Sequence, residues 1–384
     1  MLKDFLKNTR EDLHRIPETA LEEFKTAAYI REFLDKNGVS YAAIGTSTVA
    51  WFRGEEDVWT AFRADIDALP MAEESGCAAR SEHPGKMHAC GHDGHTANLL
   101  YLAKRLKERL AGGLKLLRSV MLIFQAAEEN VGGAQTLAEH EFFASRKIDG
   151  IFALHVNPEM NEGTAGSSPG AMSYQSCGLD LEITGKACHG AQPFKGIDVI
   201  LVGAKLVEAY QSIVSRNVRP EEPVVLTIGS FHAGVTRNII PETAKLLGTI
   251  RVVNKDLLDL IRTRLEAINR GFEVSYGVSI KMDFVPFYPA IFNSRRLYGL
   301  FLDAARDAGA AVQEGVKLAG SEDFSYYTRK GAEGLYFLLG VRNEAKGFVH
   351  PIHSPKFDFD PEALQTGNDI FWNILKKMGV FGAE

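Results

Sequence analysis

The spacing of apolar residues changes along the first half of the chain, and these changes predict alternating helices and strands. Apolar residues recur at three- and four-residue steps through residues 2–37, apart from a break at 16–19, so we expect two amphipathic helices there. Shorter apolar runs then indicate strands, and the unbroken run at 119–125 is typical of a strand buried on both faces. The predicted strands are 48–53, 58–64, 119–125 and 150–156, with a helix predicted over 92–110.

The pattern changes near Cys177, where residues 178–184 alternate between apolar and polar. Such alternation is typical of an antiparallel strand with one exposed face. The elements that follow complete a β-α-β-β-α-β order, which is that of a ferredoxin-like unit. They are helix 199–216, strands 224–229 and 245–253, helix 256–272 and strand 278–285.

The first pattern returns after this segment, with a helix over 294–308, a buried strand over 334–340 and a closing helix over 361–378. The fold class expected from the whole pattern is α/β. We predict a mixed-sheet domain formed by residues 1–178 and 288–384, interrupted by an inserted ferredoxin-like α+β domain of residues 179–287.

Composition narrows the class of partner and the compartment. The chain has 384 residues, of which 45% are hydrophobic and 24% charged, as in an ordinary globular protein. A net charge of -6 argues against nucleic acid or an anionic membrane as partner, and no apolar run approaches the ~20 residues of a membrane helix. Four cysteines do not make a disulfide framework in so long a chain, so we expect a reducing cytoplasm.

Side chains able to bind a metal follow the predicted buried strands. Gly91 separates Cys90 from His92 and allows a bend that aims a thiol and an imidazole at one point. Glu128 and Glu129 end a buried strand, where two adjacent charges are costly unless a cation offsets them. Other polar groups in comparable places are Asp65, Asp67, His155 and His353.

These side chains have structural interpretations as well. The Cys90/His92 pair alone is equally compatible with a structural role, and His88 and His95 are more typical of ordinary helix-start or core histidines. Taken together, however, the candidates are too many for one four-coordinate structural zinc and suit two metals that share ligands. The five plausible ligands are Cys90, His92, Glu129, His155 and His353.

The sequence resembles the M20 family of metallopeptidases, and within it the aminoacylase and amidohydrolase branch. The segments that carry the resemblance include Arg-Ala-Asp-Ile-Asp-Ala-Leu-Pro at 63–70 and Met-His-Ala-Cys-Gly-His-Asp-Gly-His at 87–95. The others are 12–18, 125–129, 154–156, 189–193, 238–242, 248–251, 320–324 and 353–357. The resemblance implies that the larger domain is catalytic, that it holds two metal ions, and that the inserted domain is a lid.

The resemblance also implies roles for individual residues. The five plausible ligands become the metal ligands, and Cys90 becomes the bridging ligand, at the place where peptidase relatives carry aspartate. Glu128 matches the general base, and Asp67 matches the aspartate that orients a ligand or the base. Among lid residues, His189 and Asn238 match those that meet the substrate. Arg251, and secondarily Arg237, could bind a substrate carboxylate.

Three positions depart from the usual pattern of the branch, so its substrate preference is not carried over at the lid. Ala126 stands where proline is common, and Gly190 and Phe194 replace an alanine and a histidine.

The expected function is that of a metal-dependent amidohydrolase that cleaves the amide bond of N-acyl amino acids, for example N-acetyl amino acids, to a carboxylate and a free amino acid. The alternatives are a dipeptidase or carboxypeptidase on small peptides, a hydrolase with Cys90 as nucleophile, and a silent binding protein on the same fold. The ligand types suit zinc, manganese, cobalt or nickel. By analogy with dimeric family members, we expect a homodimer through the lid domain in which His189 reaches the partner's site.

Overall fold

The helices follow the predicted order along the chain. The computed structural model describes residues 2–129, 131–286, 288–318, 320–329 and 331–382. None of the helices within these ranges combines the length and the apolar character needed to cross a bilayer. The helices are α1 (Leu2–Arg15), α2 (Phe24–Lys36), α3 (His92–Ala111), α4 (Gly133–Glu139), α5 (Glu141–Ala144), α6 (Val199–Asn217), α7 (Lys255–Tyr276), α8 (Arg295–Asp307), α9 (Ser325–Thr328) and α10 (Leu364–Lys377).

The strands include every predicted strand and several short ones that were not predicted. They are β1 (Ser40–Ile44), β2 (Ser47–Phe52), β3 (Glu56–Asp65), β4 (Arg118–Gln125), β5 (Lys147–Asn161), β6 (Thr164–Ser167), β7 (Gly170–Ala171), β8 (Gln175–Thr184), β9 (Cys188–His189), β10 (Val225–Ala233), β11 (Ile239–Ile240), β12 (Thr243–Val252), β13 (Ser279–Pro286), β14 (Phe292–Asn293), β15 (Ala311–Glu314) and β16 (Gly334–Arg342).

The largest sheet in the described residues is mixed, with the strand order β1-β2-β4-β3-β5-β16-β6-β15. Its four central strands, β4, β3, β5 and β16, run parallel to one another, whereas the β1–β2, β2–β4 and β16–β6 pairs are antiparallel. β4 and β16 are buried along almost their whole length, β3 over residues 59–65 and β5 over residues 150–156, which explains their unbroken apolar runs. Because these strands are parallel, their carboxyl ends meet at one edge of the sheet, where sites form in α/β proteins.

Stacked and tilted aromatic side chains fill the core beneath that edge. Phe62 and Phe152 extend from neighbouring strands with ring centroids 5.6 Å apart, and Phe371 of α10 lies 4.8 Å from Phe62. Each of the three side chains has at most 1% of its surface exposed. Such close packing leaves little freedom for the strands to shift, so the loops at their ends start from fixed positions.

A second sheet has the antiparallel order β10-β12-β8-β13, with α6 and α7 packed against it around a separate apolar core. This is the predicted ferredoxin-like arrangement, and the predicted fold class is confirmed. This second compact unit comprises Ser173–Ala290 and Leu318–Ser321, and the first comprises Met1–Met172, Ile291–Lys317 and Glu322–Glu384. Phe287 and the chain ends Met1 and Glu384, which bound the predicted domains, lie outside the described residues.

Two predicted strands end later than their apolar patterns suggested. β5 continues past the predicted end at 156 to Asn161, so His155 lies within the strand rather than at its end. β10 continues past the predicted end at 229 to Ala233. A bulge between Ile228 and Ser230 shifts the register and interrupts the alternation, so the pattern indicated an early end.

Candidate metal centre

Strands β3 and β4 stop at the same level, and the turns that follow them carry acidic side chains. Asp65 lies opposite Gln125 in the parallel pair, so the two strands end together. The turn after β3 carries Asp67, and the turn after β4 carries Glu128 and Glu129. The backbone N–H of Glu129 donates to Asp67 Oδ2 at 3.0 Å, which joins the two turns.

The Cys90–Gly91–His92 bend has the predicted form. Gly91 has a φ of 88°, and a Cβ placed on it would lie 2.4 Å from Val156 Cγ2, so both the backbone angle and the space require glycine. His92 then begins α3 and donates from Nδ1 to the carbonyl oxygen of Asp67 at 2.9 Å. This bond leaves the lone pair on His92 Nε2, which is buried and has no hydrogen-bond partner in the described chain.

The Cys90 thiol lies between two imidazoles. Its Sγ is 3.3 Å from His155 Nε2 and 3.3 Å from His353 Nε2. His155 donates from Nδ1 to the Val156 carbonyl oxygen at 2.7 Å, which leaves its Nε2 lone pair directed at the sulfur. His353 is held by its backbone N–H bond to the Ala89 carbonyl oxygen at 2.8 Å, in a left-handed conformation with a φ of 60°. Strained backbone conformations of this kind cluster at functional sites.

Two groups of three ligand atoms share this thiol, and the atoms of each group lie within 4.8 Å of one another. Glu129 Oε1 is 3.3 Å from His353 Nε2 and 4.0 Å from His92 Nε2. Like His92 Nε2, Glu129 Oε1 is buried and has no hydrogen-bond partner among the described residues, a state that costs about 1–3 kcal/mol and that coordination would relieve. Mixed sulfur, nitrogen and oxygen donors suit zinc and similar divalent ions. The two groups are Cys90, His92 and His155, and Cys90, Glu129 and His353.

The two remaining histidines of this segment have other roles. His95 donates from Nδ1 to Asp65 Oδ1 at 2.5 Å and accepts the Val156 N–H on Nε2 at 3.0 Å, so both of its nitrogens are occupied. His88 is fully enclosed, and burial lowers its pKa to about 4. Both therefore lie in the core, as the sequence predicts.

The adjacent glutamates have opposite electrostatic environments. Burial and the nearby carboxylates of Glu322 and Asp323 raise the pKa of Glu128 well above its ordinary value. Burial acts in the same direction on Glu129, but the imidazoles of His353 and His92 outweigh it and lower the pKa of Glu129. Glu128 is therefore suited to accept a proton, whereas Glu129 is suited to remain charged as a ligand.

A buried ion network beneath the site was not predicted from the sequence. Arg63, fully enclosed on β3, donates to Asp65 Oδ2 at 2.6 Å, to Glu322 Oε1 at 2.9 Å and to Asp323 Oδ1 at 2.8 Å. Through Asp65 it fixes His95, which accepts the N–H of Val156 in β5, the residue after the candidate ligand His155. The sequence offered one sign of this network, which is the arginine inside the apolar strand β3. A buried guanidinium requires carboxylate partners.

The start of α3 is anchored from the other side by α1. Asp93 follows the candidate ligand His92 and accepts from Arg10 Nε at 3.2 Å and from His14 Nδ1 at 2.7 Å. Burial lowers the pKa of His14, but its bonds to Asp93 and Glu73 outweigh that effect and raise the pKa to about 9. The amphipathic first helix therefore holds α3, which begins with the candidate ligand His92, by charge as well as by packing.

The predicted lid residues lie in the second unit. His189 of β9 lies opposite Ile239 of β11, one residue after Asn238. The ring of His189 is exposed and accepts the Ala191 N–H on Nδ1 at 3.1 Å, so a neutral ring carries its proton on Nε2. Arg251 on β12 has a buried Nη1 without a hydrogen-bond partner in the described chain. The exposed His189 ring thus retains a donor for an external group, whereas the unpaired Nη1 of Arg251 lies buried within a half-buried side chain.

The chain is similar to a known family of proteins over most of its length. The model of peptidase family M20/M25/M40 matches residues 61–377. An N-acetyldiaminopimelate deacetylase of Exiguobacterium sibiricum is 34% identical over 92% of this chain and 94% of its own length. An N-acetyl-L-cysteine deacetylase of Bacillus subtilis is 33% identical over 98% of this chain and 89% of its own. The solved structure of the Bacillus subtilis YXEP protein, a dinuclear metal binding peptidase from the M20 family, superposes with a TM-score of 0.84 at 28% identity, covering 98% of each chain.

Proposed function

The chain belongs to peptidase family M20/M25/M40, and we propose that Cys90, His92, Glu129, His155 and His353 are the ligands of its two divalent metal ions. The protein is a metal-dependent amidohydrolase that cleaves N-acyl amino acids to a carboxylate and a free amino acid. One observation carries the ligand proposal. The Cys90 thiol lies 3.3 Å from two imidazole nitrogens that belong to two separate donor groups, as a ligand shared by two ions requires.

Two ions held by these ligands would lower the pKa of a bound water from 15.7 to ~7 and would polarise the acyl oxygen. Glu128 takes a proton from the attacking water as the new carbon–oxygen bond forms, and it returns that proton to the leaving nitrogen as the carbon–nitrogen bond breaks. Its raised pKa makes it a stronger proton acceptor than an exposed glutamate. Asp67 orients the candidate ligands Glu129 and His92. Its side chain accepts the Glu129 N–H, and its backbone carbonyl oxygen accepts from His92 Nδ1.

The lid residues are proposed to meet the substrate. His189 is suited to stabilise the oxyanion from Nε2, because its Nδ1 already accepts a backbone N–H. Arg251 is proposed to bind the free carboxylate of the amino acid, because its side chain is only half-buried and a guanidinium matches a carboxylate in charge and geometry. Asn238, adjacent to His189 across the β9–β11 pair, completes the proposed substrate contacts.

The thiol-hydrolase alternative is disfavoured by the surroundings of Cys90. Burial and the carboxylates of Glu129, Glu128 and Asp65 raise the pKa of the thiol well above its ordinary value. A nucleophilic cysteine needs the reverse, an environment that favours thiolate. Coordination removes the proton outright, so the same thiol is suited to be a ligand.

A hydrolysis screen tests the function. N-acetyl amino acids, N-acetyldiaminopimelate and N-acetylcysteine, together with matched dipeptides, are offered to the purified protein with added zinc, manganese, cobalt or nickel. We expect release of free amino acid from the N-acetyl substrates, with dipeptides cleaved more slowly. Faster cleavage of the dipeptides would favour the peptidase alternative, and hydrolysis that persists after metal removal would contradict the proposal.

We further propose a cytoplasmic homodimer joined through the lid unit, with His189 acting in the partner's site. All four cysteines are free thiols, which suits a reducing compartment. β10 is an edge strand of the lid sheet, and edge strands are ready to pair with a second copy.

Mixing two inactive variants distinguishes action in trans from action in cis. Glu128→Ala and His189→Ala are combined under conditions that exchange subunits. In trans, each mixed dimer has one site with both groups intact, so we expect part of the activity to return. A mixture shown to contain heterodimers that remains inactive would contradict the trans arrangement.

A further inference from the structure

The turn that carries Glu128 and Glu129 begins with a strained residue. Ala127 has a φ of 60°, a left-handed conformation that an alanine adopts only when its surroundings enforce it. The conformation of Ala127 sets the direction in which the chain leaves β4. Any relaxation there would therefore swing the side chains of both glutamates.

Hydrogen bonds from outside the turn enforce this conformation. The Ala127 carbonyl oxygen accepts from Gly133 N at 3.0 Å, and the preceding Ala126 N–H donates to Ser47 Oγ at 3.0 Å. The Ala127 N–H itself donates to Glu23 Oε1 at 2.9 Å. The contact with Glu23 is the one that acts on the strained residue through a side chain.

Glu23 is fully buried, with 0% of its surface exposed, although it lies at the start of the amphipathic helix α2. Its Oε1 also accepts the Leu21 N–H at 3.0 Å, and its Oε2 accepts from Thr46 Oγ1 at 2.7 Å. Leu21 is itself left-handed, with a φ of 65°. One carboxylate oxygen thus accepts from two strained backbone positions, one in its own loop and one beside the base.

We propose that Glu23 is a positioning residue that fixes Ala127 in its left-handed conformation and thereby sets the orientation of the base Glu128 and the ligand Glu129. The inference rests on the roles proposed above for those two glutamates. Glu23 does not touch substrate or metal; it acts through one backbone N–H.

Three variants separate positioning from simple support of the fold. Glu23→Ala removes the acceptor for the Ala127 N–H. Glu23→Gln keeps an acceptor oxygen for the Ala127 N–H. Its amide nitrogen can donate to Thr46 Oγ1, because a hydroxyl can accept a hydrogen bond as well as donate one. Thr46→Val is the matched control, because it removes the hydrogen bond to Oε2 of the same buried carboxylate and leaves the bonds from Leu21 and Ala127 to Oε1 in place.

The measurements are kcat, KM, the melting temperature and the affinity for metal ions, the last by competition with a chromophoric chelator. We expect Glu23→Ala to lose about 10- to 100-fold in kcat and in affinity for one ion, with KM nearly unchanged, because changes to groups that orient ligands have effects of that size. Glu23→Gln should recover most of both losses. Thr46→Val should melt earlier yet keep kcat and metal affinity within about twofold, because its loss is one ordinary hydrogen bond away from the turn.

Equal losses of kcat in Thr46→Val and Glu23→Ala would overturn the proposal, as would parental kcat and metal affinity in folded Glu23→Ala. Should Glu23→Ala not fold, Glu23→Asp gives the same test, because its carboxylate is drawn back by one methylene group from Ala127. Absence of hydrolysis in the parent protein would count against the proposed function instead. The chelator competition would still show whether Glu23 positions Glu129.

Discussion

Glu128→Gln is expected to lower kcat by about 10²- to 10⁴-fold, the usual contribution of a general base, while the protein keeps its metal ions. The amide has nearly the same shape as the carboxylate but cannot accept the proton of water. The chain carries its own control in the next residue. Glu129→Gln should lose metal as well as activity, because Glu129 Oε1 belongs to the donor group of Cys90 and His353.

Elemental analysis and kcat, measured on the same preparations, check this pair. The two variants should differ in metal content although both are nearly inactive. Near-parental turnover by Glu128→Gln would remove Glu128 as the base. Loss of metal from Glu128→Gln, with full retention in Glu129→Gln, would reverse the two assignments.

Cys90→Ala is expected to abolish activity and to weaken both metal sites together, because the thiol is shared by the two donor groups. Removal of any other ligand should weaken mainly one site. Cys90→Asp is the matched variant, since a carboxylate can also be shared by two ions.

Metal titration of the apo-proteins with a chelator of known affinity measures this effect. Cys90→Asp should bind two ions per chain and regain part of the activity, with a shift in metal preference from softer to harder ions. Two tightly bound ions in Cys90→Ala would show that the thiol is not shared.

The fold could be predicted where a single local pattern determined the element. Unbroken apolar runs located β4 and β16, and strict alternation marked β8 as the first strand of the inserted unit. The short strands β1 and β15 were missed because they are half-exposed and pair at the sheet edges. Their strand conformation comes from a neighbour in the sheet, which no local pattern records.

The candidate site also contains residues that could be predicted from a local pattern and residues that could not. Cys90, His92 and Glu129 could be proposed because each is a ligand type at the end or start of a predicted element. Arg63 and Glu23 could not, because their partners lie far away in the chain. Arg63 is paired with Glu322, 259 positions away, and Glu23 with Ala127, 104 positions away. Contacts at such separations depend on the finished fold rather than on residue spacing.

The central claim is that hydrolysis of N-acyl amino acids depends on two metal ions held by this one set of side chains. The most direct test is stepwise addition of metal to apo-protein, with hydrolysis of an N-acetyl amino acid and bound metal measured on each sample. We expect the apo-protein to be inactive, activity to rise with bound metal, and the rise to stop at two ions per chain. Full activity in protein stripped of metal, or saturation of binding without any hydrolysis, would contradict the account.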